Sequence, residues 1–151
     1  MKTLCIIPCG KSKIWDKNPG AGPTKARHVY TGPFASKCQE YARKFYPEAW
    51  IILSAKYGFL WPDDIIPGPY NVTFNDPTTG PISINEVIRS AQEKGLVGYD
   101  EIVIVAGKKY VEMARQAFPG KAIREPLKGC GGNLLMTKRM KEAIESGRPL
   151  G

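Results

Sequence analysis

Two kinds of hydrophobic pattern alternate along this chain. Short continuous apolar runs, Leu4-Cys5-Ile6-Ile7, Trp50-Ile51-Ile52-Leu53 and Ile102-Val103-Ile104-Val105, have the form of strands buried on both faces. They predict strands over Lys2–Pro8, Ala49–Ser54 and Glu101–Ala106, with a shorter fourth over Ala122–Glu125. Between them, apolar residues recur at helical intervals. Phe34, Cys38, Tyr41, Ala42 and Phe45 share one face of a helix over Phe34–Phe45. Ile84, Val87, Ile88 and Ala91 do the same for Ser83–Lys94. Further helices are expected from about Lys109 to Phe118, after Gly107, and over Leu134–Ser146, where Gly147 ends the run.

Strands that alternate with helices are best buried as a parallel sheet covered on both faces. The expected fold is therefore one α/β domain over residues 1–151, three-layered α/β/α, around a mostly parallel sheet of about four strands. In such sheets ligands bind beyond the carboxyl ends of the strands. That rule puts the loops after Pro8, Ser54, Ala106 and Glu125 on one rim. Two stretches break the alternation, Cys9–Pro33 and Gly58–Gly80, both long and rich in glycine or proline. Loops of that length in a small domain usually carry function. Thr31 and Pro33 read as the cap and first position of the helix that follows.

Charge adds a direction. The 151 residues carry a formal net charge of +8, which favours polyanionic partners, DNA or RNA. Lys11, Lys13, Lys17, Lys25, Arg27 and His28 fall in one segment with only Asp16 against them, and Lys108 and Lys109 follow another strand. No apolar run approaches the roughly 18–20 residues of a membrane span. Met1–Pro8 is too short for a secretory signal, so a cytoplasmic protein without a membrane partner is expected. The cysteines, Cys5, Cys9, Cys38 and Cys130, are scattered, and His28 is the single histidine. No metal-ligand spacing results, and neither a metal nor another cofactor is predicted.

The candidate site is built from two loops. Pro8-Cys9-Gly10-Lys11-Ser12-Lys13 follows a buried strand and could offer backbone N–H groups and two ammoniums to an anion. It lacks the upstream glycine of a Walker loop. Beside those ammoniums, Cys9 would have a lowered pKa and nucleophilic character. Ser54-Ala55-Lys56-Tyr57-Gly58 follows the second strand. There Lys56 could pair with a phosphate and Tyr57 could stack on a base. Tyr30, beside Arg27 and His28, suits a second stacking platform. Carboxylates are scarce, and Asp63 or Asp64 is the nearest candidate base.

Several of these residues resemble a family. Cys9-Gly10-Lys11-Ser12-Lys13, Tyr30-Thr31-Gly32, Tyr41-Ala42, Ser54-Ala55-Lys56-Tyr57-Gly58-Phe59-Leu60 and Pro69-Tyr70 look like a largely uncharacterised bacterial and archaeal family. More distantly, Pro8-Cys9…Lys11 is similar to the core of archaeosine synthases, whose domain resembles the uracil-DNA glycosylase fold. A looser similarity is to the YaaA-type DNA-binding peroxide-stress proteins. The resemblance implies a uracil-DNA-glycosylase-like domain acting on a nucleobase, in the manner of a DNA-repair glycosylase that cleaves an N-glycosidic bond. It departs at Asn71, where an aspartate is expected, and in the first loop, which lacks the glycosylases' Asp-Pro-Tyr. On this reading Lys56, Lys13, Cys9, Asp64 and Asn71 stand nearest the chemistry, with one lysine as a Schiff-base nucleophile if burial lowers its pKa. Gly10, Lys11, Ser12, Tyr30, Ser54, Tyr57 and Tyr70 would hold substrate, and Lys25, Arg27, His28, Lys108 and Lys109 nucleic acid. The alternatives are a non-catalytic DNA or RNA binder and a nucleotide or deazapurine enzyme.

Overall fold

A computed structural model describes all 151 residues, Met1–Gly151. Strand β1 (Thr3–Pro8) enters a long connection that holds a short helix α1 (Ile14–Lys17), a two-residue strand β2 (Thr24–Lys25) and a single turn α2 (Ala26–Val29). Helix α3 (Pro33–Phe45) leads to β3 (Trp50–Ser54), which turns back at once into β4 (Gly58–Leu60). After β5 (Ile65–Ile66) come α4 (Ile84–Glu93), β6 (Glu101–Ile104), α5 (Lys108–Arg115), β7 (Ala122–Arg124) and α6 (Asn133–Ser146).

The apolar runs become the central strands because only a position with helices on both faces lets every side chain leave water. Leu4 to Ile7, Ile51 to Leu53 and Ile102 to Val105 are all buried. The sheet order is β4-β3-β1-β6-β7. β1 runs parallel to β3 with Cys5 beside Trp50, and parallel to β6 with Leu4 beside Ile102. β7 is parallel to β6, and β4 closes the far edge antiparallel to β3. Helices α3 and α6 pack together, as do α4 and α5, giving the two outer layers of a three-layer α/β/α sandwich. No helix is long and apolar enough to cross a membrane.

This topology chooses the site. The chain leaves β1 for β3 on one side and then crosses to β6 on the other, so the connections diverge around β1. A crevice opens at such a switch point, beyond the strands' carboxyl ends.

The sheet has a fifth strand beyond the expected four. Gly58 accounts for it. With φ of +80° it makes the turn that folds Phe59 and Leu60 back onto β3, a conformation glycine adopts at little cost. The stretch Cys9–Pro33 is more structured than its composition suggests. β2 pairs with β5, and the N–H groups of Ala26 and Arg27 donate to the carbonyls of Asp64 and Pro62. The two long loops thus brace each other. Pro33 takes the first helical position as expected, but Gly32 is the cap residue and no side chain caps this helix, Thr31 included.

Candidate functional site

A cleft of about 1040 Å³ opens at the switch point. Its walls come from the Gly10–Lys13 loop after β1, the amino ends of α3, α5 and α6, and the segment Asn71–Asp76. Gly10 is needed at the base of the first wall, since a Cβ there would lie 3.0 Å from the Cβ of Ala35. Loop and α3 can meet this closely only without a side chain.

The amino ends share an unusual composition. Gly32, Gly107 and Gly132 are the cap residues of α3, α5 and α6, and none supplies a side-chain acceptor to its helix. The first-turn amides of Phe34, Ala35, Lys108, Lys109, Asn133 and Leu134 find no acceptor within the protein, nor do those of Gly10, Lys11 and Ser12. Helix α4, which contributes no residue to the cleft lining, starts differently. Its Ser83 and Glu86 form a complete capping box. The cleft therefore gathers orphan N–H donors and the positive ends of three helix dipoles. Lys11, Lys13, Lys108 and Lys109 add four ammoniums, against two carboxylates, Asp76 and Glu112.

Lys13 is the most unusual of the four. It is only 4% exposed, yet forms no ion pair. Its Nζ donates to the Lys11 carbonyl at 3.1 Å and sits 4.4 Å above the Tyr70 ring. Asp16, its nearest acid in sequence, accepts instead from the Lys13 backbone N–H. Burial consequently lowers the Lys13 pKa, with Cys9 and Asp16 acting weakly the other way.

Behind this wall lies a cluster of hydroxyls. Tyr70 is hydrogen-bonded to Tyr30 and, at 3.0 Å, to Ser54 Oγ. The hydroxyl of Tyr110 meets Cys9 Sγ at 3.2 Å and Thr73 Oγ1 at 3.3 Å. Burial pushes the phenols of Tyr30, Tyr70 and Tyr110 well up, so all three are neutral at physiological pH. Cys9 is corrected by the same effect. Its desolvation outweighs the hydrogen bonds of Tyr110 and the Ala55 N–H and the charge of Lys13, and its pKa is raised rather than lowered. It is a thiol, not a poised thiolate.

The two sequence loops have different fates. Gly10, Lys11, Ser12 and Lys13 line the cleft with Cys9 at its floor; Lys56 and Tyr57 do not. The amides of Lys56 and Tyr57 are taken up by Ser54 Oγ at 3.2 and 3.1 Å. Tyr57 packs edge-on against Tyr70 at 5.4 Å, and Lys56 Nζ lies 5.7 Å from the Tyr70 ring. Tyr30 is buried and Tyr70 is flanked by two ammoniums, so neither ring is offered as a stacking platform.

Asp64 also falls outside. Its carboxylate accepts from the Trp61 N–H at 2.8 Å and pairs with Lys94 at 2.6 Å. Asp63 likewise holds Arg27 at 2.9 Å and Lys25 at 3.8 Å. Those two cations are therefore partly neutralised and stand away from the cleft, as does the exposed His28. Asn71, Lys108 and Lys109 do line it. Sequence reasoning missed Gly107, Gly131, Gly132, Tyr110 and Glu112. The first three had a signal, a glycine between a strand or loop and a helix start on the predicted rim.

The model of a family described as a family of unknown function (DUF6884) matches residues 4–137. An uncharacterized protein of Bacillus subtilis (strain 168), YfjM, is 42% identical over 146 residues, 96% of this chain and 97% of that one. No solved structure matches.

Proposed function

The chain belongs to that family of unknown function, and on this premise we propose that it is a base-releasing hydrolase, cleaving the N-glycosidic bond of a nucleotide unit held in the cleft. One observation carries the reading. A concave cleft of the size that encloses small ligands brings together anion donors, from the Gly10–Lys13 loop and three helix ends, and an unengaged carboxylate, Glu112. The likeness of Pro8-Cys9…Lys11 to the archaeosine-synthase core supports a nucleobase as the target.

Glu112 replaces Asp64 as the candidate base. It is exposed on α5, one turn beyond Lys108, and its carboxylate takes part in no hydrogen bond or ion pair. The other carboxylate on the wall, Asp76, is held by the N–H and hydroxyl of Thr78 at 3.0 and 2.6 Å, which lowers its pKa and leaves it a weak base. In the proposed step Glu112 takes a proton from water as the water oxygen bonds to C1′. The C1′–N bond breaks, its electron pair leaves with the base, and the base takes a proton from solvent.

The test is direct. The protein is incubated with free nucleoside 5′-phosphates and with DNA carrying assorted modified bases, and released base is read by chromatography. Release that disappears with Glu112→Gln supports the reading; no free base from any substrate rejects it. A second reading, binding of DNA or RNA without chemistry, is favoured by the net charge of +8 and by the exposed Lys108 and Lys109. It predicts steep salt dependence and no base release.

A further inference from the structure

We infer that the amino ends of α3, α5 and α6, with the Gly10–Lys13 loop, form a seat for the terminal phosphates of a free nucleotide rather than for the backbone of a nucleic acid. This deepens the proposed function by naming its substrate class, and rests on the same cleft.

The first observation is the pattern of caps. Serine, asparagine and aspartate lead the cap preferences and spend their side chains on first-turn amides, as Ser83 of α4 does, whereas glycine, also a common cap, leaves those amides free. The three helices that open on the cleft use glycine. Backbone conformation does not demand it, because Gly32, Gly107 and Gly132 have φ of −68°, −73° and −68°. Space does not demand it at α5 and α6 either. A Cβ at Gly132 would meet nothing within 4 Å, and one at Gly107 only the tip of Met136, 4.0 Å away. The caps leave unfilled the first-turn amides that a phosphate oxygen would use.

Lys13 is the second observation, independent of the helices. A buried ammonium with one backbone acceptor and no carboxylate, on the wall of the same cleft, lacks a counter-ion. A ligand anion supplies one.

The arrangement favours terminal phosphates over a polymer. The donors come from three helices and a loop around one cavity, as suits a compact anion of charge −2 or −3. A polymer needs a track of cations leading away. Two of the basic residues such a track would use, Lys25 and Arg27, are tied to Asp63 and lie off the cleft.

Calorimetry on the full chain tests this, with inorganic pyrophosphate, the common nucleoside 5′-mono- and diphosphates, the nucleosides, and a short single-stranded DNA as probes. Diphosphates should bind best, then monophosphates, with nucleosides and DNA weakest. Gly132→Asp should weaken pyrophosphate binding by about tenfold or more while leaving the melting temperature equal or higher, since aspartate is a good cap. Gly132→Asn, equal in size and uncharged, should cost severalfold less. Lys13→Met should match Gly132→Asp. Unchanged pyrophosphate affinity in both Gly132→Asp and Lys13→Met overturns the inference, and so does DNA binding more tightly than every free nucleotide. Base release from DNA without nucleotide binding would defeat this inference and spare the hydrolase reading. Tight nucleotide binding without base release would do the reverse.

Discussion

The loops that follow β1 and β3 are neighbours in the sheet and read alike in sequence, each with a glycine, a serine and lysine. They differ in where their backbone donors go. Gly10, Lys11 and Ser12 keep their N–H groups free and face the cleft. In the second loop Ser54 Oγ accepts from Lys56 and Tyr57, while Ser90 Oγ accepts from Phe59 at 2.8 Å. One loop is satisfied by its own fold and the other awaits a partner. A basic, glycine-containing loop after a strand is thus a site only where its amides remain unspent.

The comparison predicts opposite responses to substitution. The largest effect belongs to the closed loop. Gly58→Ala combines φ of +80° with a Cβ placed 2.5 Å from Ser90 Oγ, and should cost about 2–4 kcal/mol in denaturant unfolding. Ser54→Ala follows, at about 1–3 kcal/mol, because it strands two amides and removes one of the two partners of the Tyr70 hydroxyl. An open-loop change should have the other sign. Lys13→Met removes a buried, uncompensated ammonium and should raise stability by about 1 kcal/mol while ligand binding falls. Smallest is Lys56→Ala, exposed and outside the cleft, which should stay within about 0.5 kcal/mol of the parent. If Lys13→Met destabilised and Lys56→Ala abolished binding, the contrast between the loops would be reversed.

Acid–base behaviour sharpens the same contrast. The groups around the Lys13 ammonium are Lys11, Asp16, Cys9, Tyr70 and, across the Tyr70 ring, Lys56. Burial lowers its folded pKa below that of the unfolded chain, so across the interval between the two the unfolded state binds more protons and stability rises with pH. The stability gained by Lys13→Met should therefore be full below that interval and vanish as pH climbs to the ordinary lysine range. Melting curves of both proteins across alkaline pH check this.

The fold was largely legible in the chain because its central strands are buried on both faces and their apolar runs have no other use. The edge strand β4 was not, since three residues after a tight turn carry too little pattern to separate from a loop. Of the site, the Gly10–Lys13 loop could be read directly from its composition. Lys56 and Tyr57 misled because a side chain's type does not reveal that Ser54 and Tyr70 occupy its surroundings. Asp64 misled because its partner, Lys94, is thirty positions away. The glycine caps carried a signal that becomes readable only when three helix starts are seen to converge.

Those uncapped starts also bear on how long a molecule survives once made. Helices whose first turns lack acceptors fray more readily, and α5 and α6 are the last two helices of the chain. A ligand that supplies the missing acceptors binds the native form alone, and at a hundred times its dissociation constant adds about 2.7 kcal/mol to the folding equilibrium. Proteases that attack the opened carboxyl-terminal half would then clear idle copies faster than occupied ones, and the amount of this protein would follow the supply of its ligand.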